Sequence, residues 1–165
     1  MIDVSIVLSC YNRPKQLRRT LESIRAQDGD PEIIVVEDGD DGLTRFAARE
    51  FGAKYFQKDR SELPVFQNPS RVHNIGIRQA TRKVVILQGG EVMYTTRPNF
   101  LTELIAPVLA NPLIATTPLI QSMDKEGKFE WLVTPNWDDS KRAGWIINFC
   151  LAVDRSALNT IGGFE

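Results

Sequence analysis

A chain of 165 residues that is 42% hydrophobic and 25% charged is long enough for one folded domain with its own core. Its composition is neither repetitive nor poor enough in apolar residues for a disordered protein. A formal net charge of -1 offers no basic surface for nucleic acids or anionic membranes. Two cysteines favour a reducing compartment over a disulfide framework, and neither a signal peptide nor a membrane span is predicted. We therefore expect a cytoplasmic domain.

The first half of the chain alternates short apolar runs with amphipathic segments. The apolar runs predict strands at Val4–Leu8, Glu32–Val36, Ala53–Phe56 and Lys83–Leu87. The amphipathic segments predict helices from Pro14 onward, at Leu43–Phe51 and at Ser70–Ala80. Strands and helices in this alternation favour an α/β fold, with a mostly parallel central sheet and helices on both faces.

Polar clusters follow three of these strands. They read SCYN after the first strand, EDGDD after the second and QGGE after the fourth. Ligands of such sheets bind beyond the carboxyl ends of the strands. The three clusters are therefore expected to line one crevice.

The second half of the chain has a weaker pattern. A helix is predicted from Pro98, with Phe100, Leu101, Leu104, Ile105 and Leu109 facing the sheet. Further predictions are a strand at Leu113–Ile120, a hairpin of Leu119–Ser122 with Phe129–Val133, a polar loop at Thr134–Gly144, a strand at Trp145–Val153 and a helix at Arg155–Ile161.

Four blocks of the sequence resemble the family 2 glycosyltransferases, which are inverting enzymes of the Rossmann-like GT-A nucleotide-diphospho-sugar transferase fold. The blocks are VSIVLSCYNRPKQLRRTLESIRAQ, EIIVVEDGDDG, NPSRVHNIGIRQATRKVVILQGGEV and FCLAVDRSALNTIGGF. They occur in the order and at spacings compatible with the family. The resemblance implies a single domain over residues 1–165, with a nucleotide-sugar-binding half at 1–94 and an acceptor half at 95–165 that is expected to be incomplete at its C-terminus.

The resemblance also implies a site for a nucleoside diphosphate sugar, with UDP as the usual nucleotide. A carboxylate at Asp38 can accept a hydrogen bond from a base N–H such as uracil N3, and Tyr11 offers a ring for the base. Arg13 and Arg71 offer positive charge to the phosphates. The full set of expected nucleotide-sugar contacts is Ser9, Tyr11, Arg13, Glu37, Asp38, Arg71, Asn74, Gly89 and Gly90.

The metal-binding motif differs from the usual Asp-x-Asp of the family. Gly89, Gly90 and Glu91 stand at its position, so only the last acid remains. In the family that acid usually coordinates the metal, together with diphosphate oxygens and water. The resemblance therefore implies dependence on Mn²⁺ or Mg²⁺, held by Glu91.

Inverting transfer needs a carboxylate that takes a proton from the acceptor hydroxyl. Glu165 matches the acidic position after Gly-Gly-Phe and is one candidate base; a carboxylate beyond residue 165 is the other, and Asp138 and Asp139 are weaker substitutes. The acceptor is expected to be a glycan, lipid, protein or small molecule. His73, the only histidine, is expected to be a helix residue near the site rather than a catalyst.

Two other functions are compatible with parts of the pattern. The missing first acid allows a non-catalytic domain that binds sugar nucleotides or serves as a scaffold. The strand-helix alternation also allows a dinucleotide-binding Rossmann enzyme, but SCYNRP lacks the glycine-rich turn that such enzymes use for pyrophosphate. A nucleotidyltransferase is disfavoured because no glycine- and lysine-rich phosphate loop is present.

Overall fold

A computed structural model describes residues 2–39, 42–58, 69–94, 96–124, 126, 128–133, 136–138, 143–145 and 149–164. The strands are β1 (Val4–Cys10), β2 (Glu32–Glu37), β3 (Lys54–Gln57), β4 (Val84–Gly89), β5 (Ile120–Met123), β6 (Phe129–Val133), β7 (Asn136–Asp138), β8 (Ala143–Trp145) and β9 (Cys150–Asp154). The helices are α1 (Pro14–Arg25), α2 (Leu43–Glu50), α3 (Pro69–Gln79), α4 (Phe100–Ala110) and α5 (Arg155–Ile161).

The central sheet has five strands in the order β3-β2-β1-β4-β9. The first four are parallel, and β9 pairs antiparallel with β4. The strands β1, β2 and β4 are almost continuously apolar because both faces of a parallel sheet are covered. This confirms the predicted α/β architecture with a mostly parallel sheet.

The helices divide the core between the two faces of the sheet. Alternate residues of β1, such as Ile6 and Leu8, pack in one cluster with residues of α1, α2 and α4. Val7 packs on the other face with residues of α3 and α5. Gly76 in α3 allows close packing there, since a Cβ at this position would lie 2.2 Å from Val7 Cγ1.

Three predictions in the second half of the chain are wrong. The run Leu113–Ile120 is not a strand: Thr116 makes a single bridge to Ala152, and only Ile120 belongs to β5. Pro118 interrupts this run and Pro112 directly precedes it, and neither has an N–H to donate to a neighbouring strand. The predicted loop at Thr134–Gly144 contains β7 and most of β8, which form a two-stranded antiparallel sheet. The predicted strand at Trp145–Val153 is divided between the end of β8 and β9.

The hairpin of β5 and β6 is confirmed, and α4 begins two residues later than predicted. Leu101, Leu104 and Ile105 are buried as expected, whereas Leu109 is 37% exposed. In the part of the chain that the structure describes, no helix has the length and apolar character needed to cross a membrane.

Candidate functional site

The turns that follow β1, β2 and β4 lie side by side, since these strands are neighbours in the sheet. Main-chain hydrogen bonds join the turns directly. Asp38 N donates to the carbonyl of Cys10 over 2.9 Å, and Gly90 N donates to the carbonyl of Ser9 over 2.8 Å. The three polar clusters therefore share one edge of the sheet.

Glu37 is the buried support of two of these turns. Its carboxylate Oε1 accepts hydrogen bonds from Asn12 N over 3.1 Å and from Gly39 N over 2.6 Å. Asn12 adopts a left-handed backbone conformation with φ of 50° in the turn that Glu37 holds. The second oxygen, Oε2, is buried without a hydrogen-bond partner among the described residues. The buried carboxylate of Glu37 thus stabilises the turns after β1 and β2. Its expected contact with nucleotide stays a prediction.

Asp38, the expected base-recognising carboxylate, is paired with Lys58. Lys58 Nζ donates to Asp38 Oδ1 over 2.7 Å, and each of the two side chains is only 12% exposed. Lys58 N also donates to the carbonyl of Glu37 over 2.9 Å. Lys58 was not identified as a site residue from the sequence. Its position directly after β3, at the same edge as the other clusters, is the signal that could have found it.

Arg13 and Glu91 bring opposite charges together at the mouth of the site. Arg13 Nη1 lies 3.9 Å from Glu91 Oε2, and the two side chains are 57% and 44% exposed. An ion pair between side chains as exposed as these, at a separation of 3.9 Å, contributes little to the free energy of unfolding. Tyr11, on the same turn as Arg13, is 41% exposed. All three side chains are therefore accessible to a ligand.

Gly89 and Gly90 are needed for the packing of the turn after β4. A Cβ on Gly90 would lie 2.3 Å from Cys10 Sγ, and a Cβ on Gly89 would lie 2.7 Å from Glu91 Oε1. The carbonyl of Gly90 accepts a hydrogen bond of 2.8 Å from Thr20 Oγ1 in α1. The glycines thus let this turn approach β1 and let the Glu91 side chain fold over it.

The residues around Glu91 fit a divalent cation only in part. Among the described residues, no group of three or more histidine, cysteine, aspartate or glutamate side chains could hold a metal ion. Glu91 can supply one accessible carboxylate. A cation at Glu91 would need its remaining oxygen ligands from a diphosphate and water, which are ligands that Mg²⁺ commonly keeps.

Helix α3 places two more expected site residues at this edge. Arg71 is exposed in its first turn, and Asn74 follows one turn later on the same side of the helix. The amide of Asn74 bonds to the main chain of Phe164, so its expected contact with nucleotide stays a prediction. His73 is buried against the main chain of Gln88, and burial lowers its pKa. This placement agrees with a structural histidine near the site.

The candidate base cannot be located from the described residues. Glu165 and Asp139 lie outside them, and Asp138 is described by its backbone alone, in β7.

Both cysteines are unpaired by disulfides and buried. Burial raises the pKa of the Cys150 thiol to about 12 although its hydrogen bond with Tyr94 acts to lower it, so this thiol is unreactive.

Comparisons with known proteins identify one family from the sequence and one fold from the structure. The sequence profile of Glycosyl transferase family 2 matches residues 5–159. A mannosyltransferase from Pyrobaculum calidifontis, solved in complex with GDP-Man and Mn²⁺, superposes with a TM-score of 0.69 at 18% identity and covers 99% of this chain. TarS 1–349 from S. aureus superposes with a TM-score of 0.68 at 16% identity and covers 97%. These similarities confirm the GT-A Rossmann-like fold.

A third structure, glucosyl-3-phosphoglycerate synthase from Mycobacterium tuberculosis in complex with Mn²⁺, UDP and glucosyl-3-phosphoglycerate, has a TM-score of 0.53 at 20% identity over 68% of this chain. The chain spans 47%, 49% and 42% of these three structures, respectively. It is thus about half as long as each of them. No curated protein matches the sequence.

Proposed function

The chain belongs to glycosyl transferase family 2, and from this premise we propose that it transfers a sugar from a nucleoside diphosphate sugar to a hydroxyl acceptor with inversion. We further propose UDP as the nucleotide. The observation that carries the proposal is the meeting of Asp38, Arg13 and Glu91 at one sheet edge, on turns joined by main-chain hydrogen bonds. These groups can serve the base, the phosphates and a cation, respectively.

Base recognition is assigned to Asp38. Lys58 holds one oxygen of this carboxylate, so the second oxygen is the acceptor available to a base N–H. Uracil presents such a donor at N3, and the exposed ring of Tyr11 offers a face for stacking. Guanine also presents an N–H donor, and one structural relative is solved with GDP-Man, so the assignment to UDP depends on the experiment below.

The phosphates are assigned to Arg13 and Arg71, with the main chain of Ser9, Gly89 and Gly90 bordering them. Guanidinium groups bind phosphate oxygens through charge-assisted hydrogen bonds. Glu91 would hold Mn²⁺ or Mg²⁺, which neutralises charge on the departing diphosphate when it is bound. A cation at Glu91 would repel Arg13, so its guanidinium would give up the 3.9 Å contact with Glu91 and bind the phosphates instead.

The transfer is a direct displacement at the anomeric carbon. The acceptor oxygen forms the new bond to this carbon, and the bond from the carbon to the diphosphate oxygen breaks. The nucleoside diphosphate leaves with that electron pair, and the acceptor proton passes to a carboxylate, which we assign to Glu165. A glycan, lipid, protein or small molecule could present the hydroxyl group.

Turnover of defined donors tests this function. The full chain is incubated with Mn²⁺ and, separately, UDP-glucose, UDP-N-acetylglucosamine or GDP-mannose, and release of the nucleoside diphosphate is measured. We expect release from a UDP sugar, loss of activity on chelation, and a fall in kcat of about 100-fold in Glu91→Gln, in the range found when one stabilising charge is removed. Glu22→Gln, an exposed change on α1, is the matched control and should retain activity.

That assay, combined with calorimetry of UDP binding, separates an enzyme from a binding module. Binding of UDP without turnover at any Mn²⁺ concentration would support the alternative, a non-catalytic domain for sugar nucleotides. The absence of the first acid of the metal motif is the observation that favours this alternative.

A further inference from the structure

Asp38 and Lys58 form a pair of opposite charges at the carboxyl edge of the sheet. Lys58 Nζ donates to Asp38 Oδ1 over 2.7 Å, and each side chain is only 12% exposed. Water and salt screen a pair that is this far buried much less than they screen a pair on the surface. The carboxylate and the ammonium group are therefore held together before a ligand binds.

The main chain around this pair is held as well. Lys58 N donates to the carbonyl of Glu37 over 2.9 Å, and Gln57 Nε2 donates to the carbonyl of Gly39 over 3.0 Å. These two acceptors are the residues on either side of Asp38. The end of β3 thus fixes the turn after β2 at the position of Asp38, and binding a ligand there does not require this turn to become ordered first.

Each partner of the pair retains hydrogen-bonding capacity. Within the described ranges, Lys58 Nζ makes one hydrogen bond, so two of its three N–H groups remain to donate, and Asp38 Oδ2 remains to accept. The two charges compensate each other, so the pair suits a neutral polar group better than a phosphate. It presents one acceptor next to one donor.

An acceptor next to a donor is complementary to one class of nucleobase. Uracil and thymine carry N3–H next to the carbonyl oxygen O4, and guanine carries N1–H next to O6. Cytosine and adenine have the reverse arrangement, in which a ring nitrogen accepts and the neighbouring amino group donates. Against that reversed edge the carboxylate would meet a lone pair and the ammonium group would meet an amino group. Polar groups left unpaired in this way weaken binding strongly.

We propose that Lys58 is a specificity-determining residue: it donates to the carbonyl oxygen next to the base N–H that Asp38 accepts. The site then takes nucleotides of uracil, thymine or guanine and rejects those of cytosine and adenine. This inference rests on the proposed function, since it requires a nucleotide with its base at Asp38. It adds a second contact to the base and defines the class of base by its hydrogen-bonding edge.

Calorimetry of the full chain with four nucleotides tests the proposed class. UDP, GDP, CDP and ADP are titrated separately in the presence of Mn²⁺. We expect the tighter of UDP and GDP to bind at least about 100-fold more strongly than CDP and ADP, because two hydrogen bonds are replaced by two mismatches. Binding of CDP or ADP within about threefold of that ligand would overturn the proposal.

A modified base distinguishes a direct contact of Lys58 from mere orientation of Asp38. In 4-thio-UDP, sulfur replaces O4 and is a weaker acceptor, while N3–H is kept. We expect this change to raise the Kd about fivefold in wild type and in Lys15→Met, an exposed control, but less than about 1.5-fold in Lys58→Met. The matched ligand 2-thio-UDP should lose the same affinity in all three chains. If GDP is the tighter ligand, 6-thio-GDP takes the place of 4-thio-UDP.

An equal loss with 4-thio-UDP in wild type and in Lys58→Met would overturn the direct contact. Failure of the proposed function has a different signature. A chain that prefers UDP or GDP as expected but releases no sugar would contradict the transferase and leave the base specificity intact. A chain that uses CDP sugars as well as UDP sugars would overturn the specificity and leave the transferase intact. Absence of binding of all four nucleotides would refute both.

Discussion

Lys58 and Asp38 form a charge pair that is nearly closed to solvent, on the carboxylate assigned to the base. We expect Lys58→Met to raise the Kd of UDP about tenfold, because Asp38 loses the partner that orients it. Lys58→Arg should retain affinity within about threefold, since it keeps the charge. The measurement is calorimetry with UDP, and Lys15→Met, an exposed change on α1, is the control.

Equal or tighter binding of UDP by Lys58→Met would contradict this assignment. It would mean that the lysine competes with the base for Asp38 instead of orienting it.

Gly90 and Cys10 pack too closely for any larger residue at position 90. We expect Gly90→Ala to lower the free energy of unfolding by about 1–3 kcal/mol, since the added methyl group overlaps Cys10 Sγ. Removing the sulfur in Gly90→Ala/Cys10→Ala should recover part of that loss. Urea denaturation of the two single variants and the double variant measures the coupling. Strictly additive effects would show that the sulfur is not what the methyl group meets.

Among individual residues, the sequence predicts best the location of those that directly follow a strand. Asp38, Arg13 and Glu91 could be grouped in advance because each follows an apolar run, and parallel strands end at one edge. Neither the ion pair of Lys58 with Asp38 nor the hydrogen bonds of Asn74 with Phe164 could be predicted from local sequence, since each depends on a partner that is distant in sequence.

At the scale of the elements, Glu32 joins the amino ends of neighbouring strands. Its carboxylate accepts hydrogen bonds from Ser5 Oγ in β1, from Lys54 Nζ in β3 over 2.6 Å, and from Thr81 N and Oγ1 over 2.9 and 3.0 Å. Burial acts to raise the pKa of Glu32, but these hydrogen bonds outweigh it and lower the pKa to about 2. The amino edge of the sheet lies opposite the candidate site, and one carboxylate, that of Glu32, links its strands by hydrogen bonds.

This pKa implies a defined pH dependence of stability. Since the pKa of Glu32 is lower in the folded chain than its ordinary value of 4.5, its contribution is complete above about pH 5 and is lost as the pH falls toward 2. We expect Glu32→Gln to lower the free energy of unfolding by about 2–3 kcal/mol at pH 7. The difference from wild type should shrink progressively between pH 5 and pH 2.

Urea denaturation at pH 7, 4 and 3 measures that difference, with Glu22→Gln as the exposed control. A difference that stays constant over this range would show that the ionised carboxylate is not the source of the stability.

The elements of the first half were predictable because continuous apolar runs such as those of β1, β2 and β4 arise when both faces of a strand are buried. The second half was predicted less well for a physical reason. Residues 113–120 are apolar enough for a strand, but Pro118 has no N–H to donate, and the run makes one isolated bridge, between Thr116 and Ala152. Among the described strands, β7 and β8 pair with each other alone, and at three residues each they are too short to show an alternating hydrophobic pattern.

At the scale of the whole molecule, the two faces of the sheet differ in how they are packed. The face with α1, α2 and α4 contains the larger core cluster, and on the face with α3 and α5 the side chain of Asn74 is hydrogen-bonded to the main chain of Phe164. The division into a nucleotide half and an acceptor half stays a prediction.

The most direct test of the account is the affinity of the chain for UDP in the presence of Mn²⁺, measured by calorimetry for wild type and Asp38→Ala. Asp28→Ala, an exposed change, is the control. The account predicts measurable binding by wild type and the control, and a loss of about 100-fold or more in Asp38→Ala, since a hydrogen bond to a charged group and the pairing of Lys58 are removed together. Unchanged affinity in Asp38→Ala would contradict the placement of the nucleotide at this edge of the sheet.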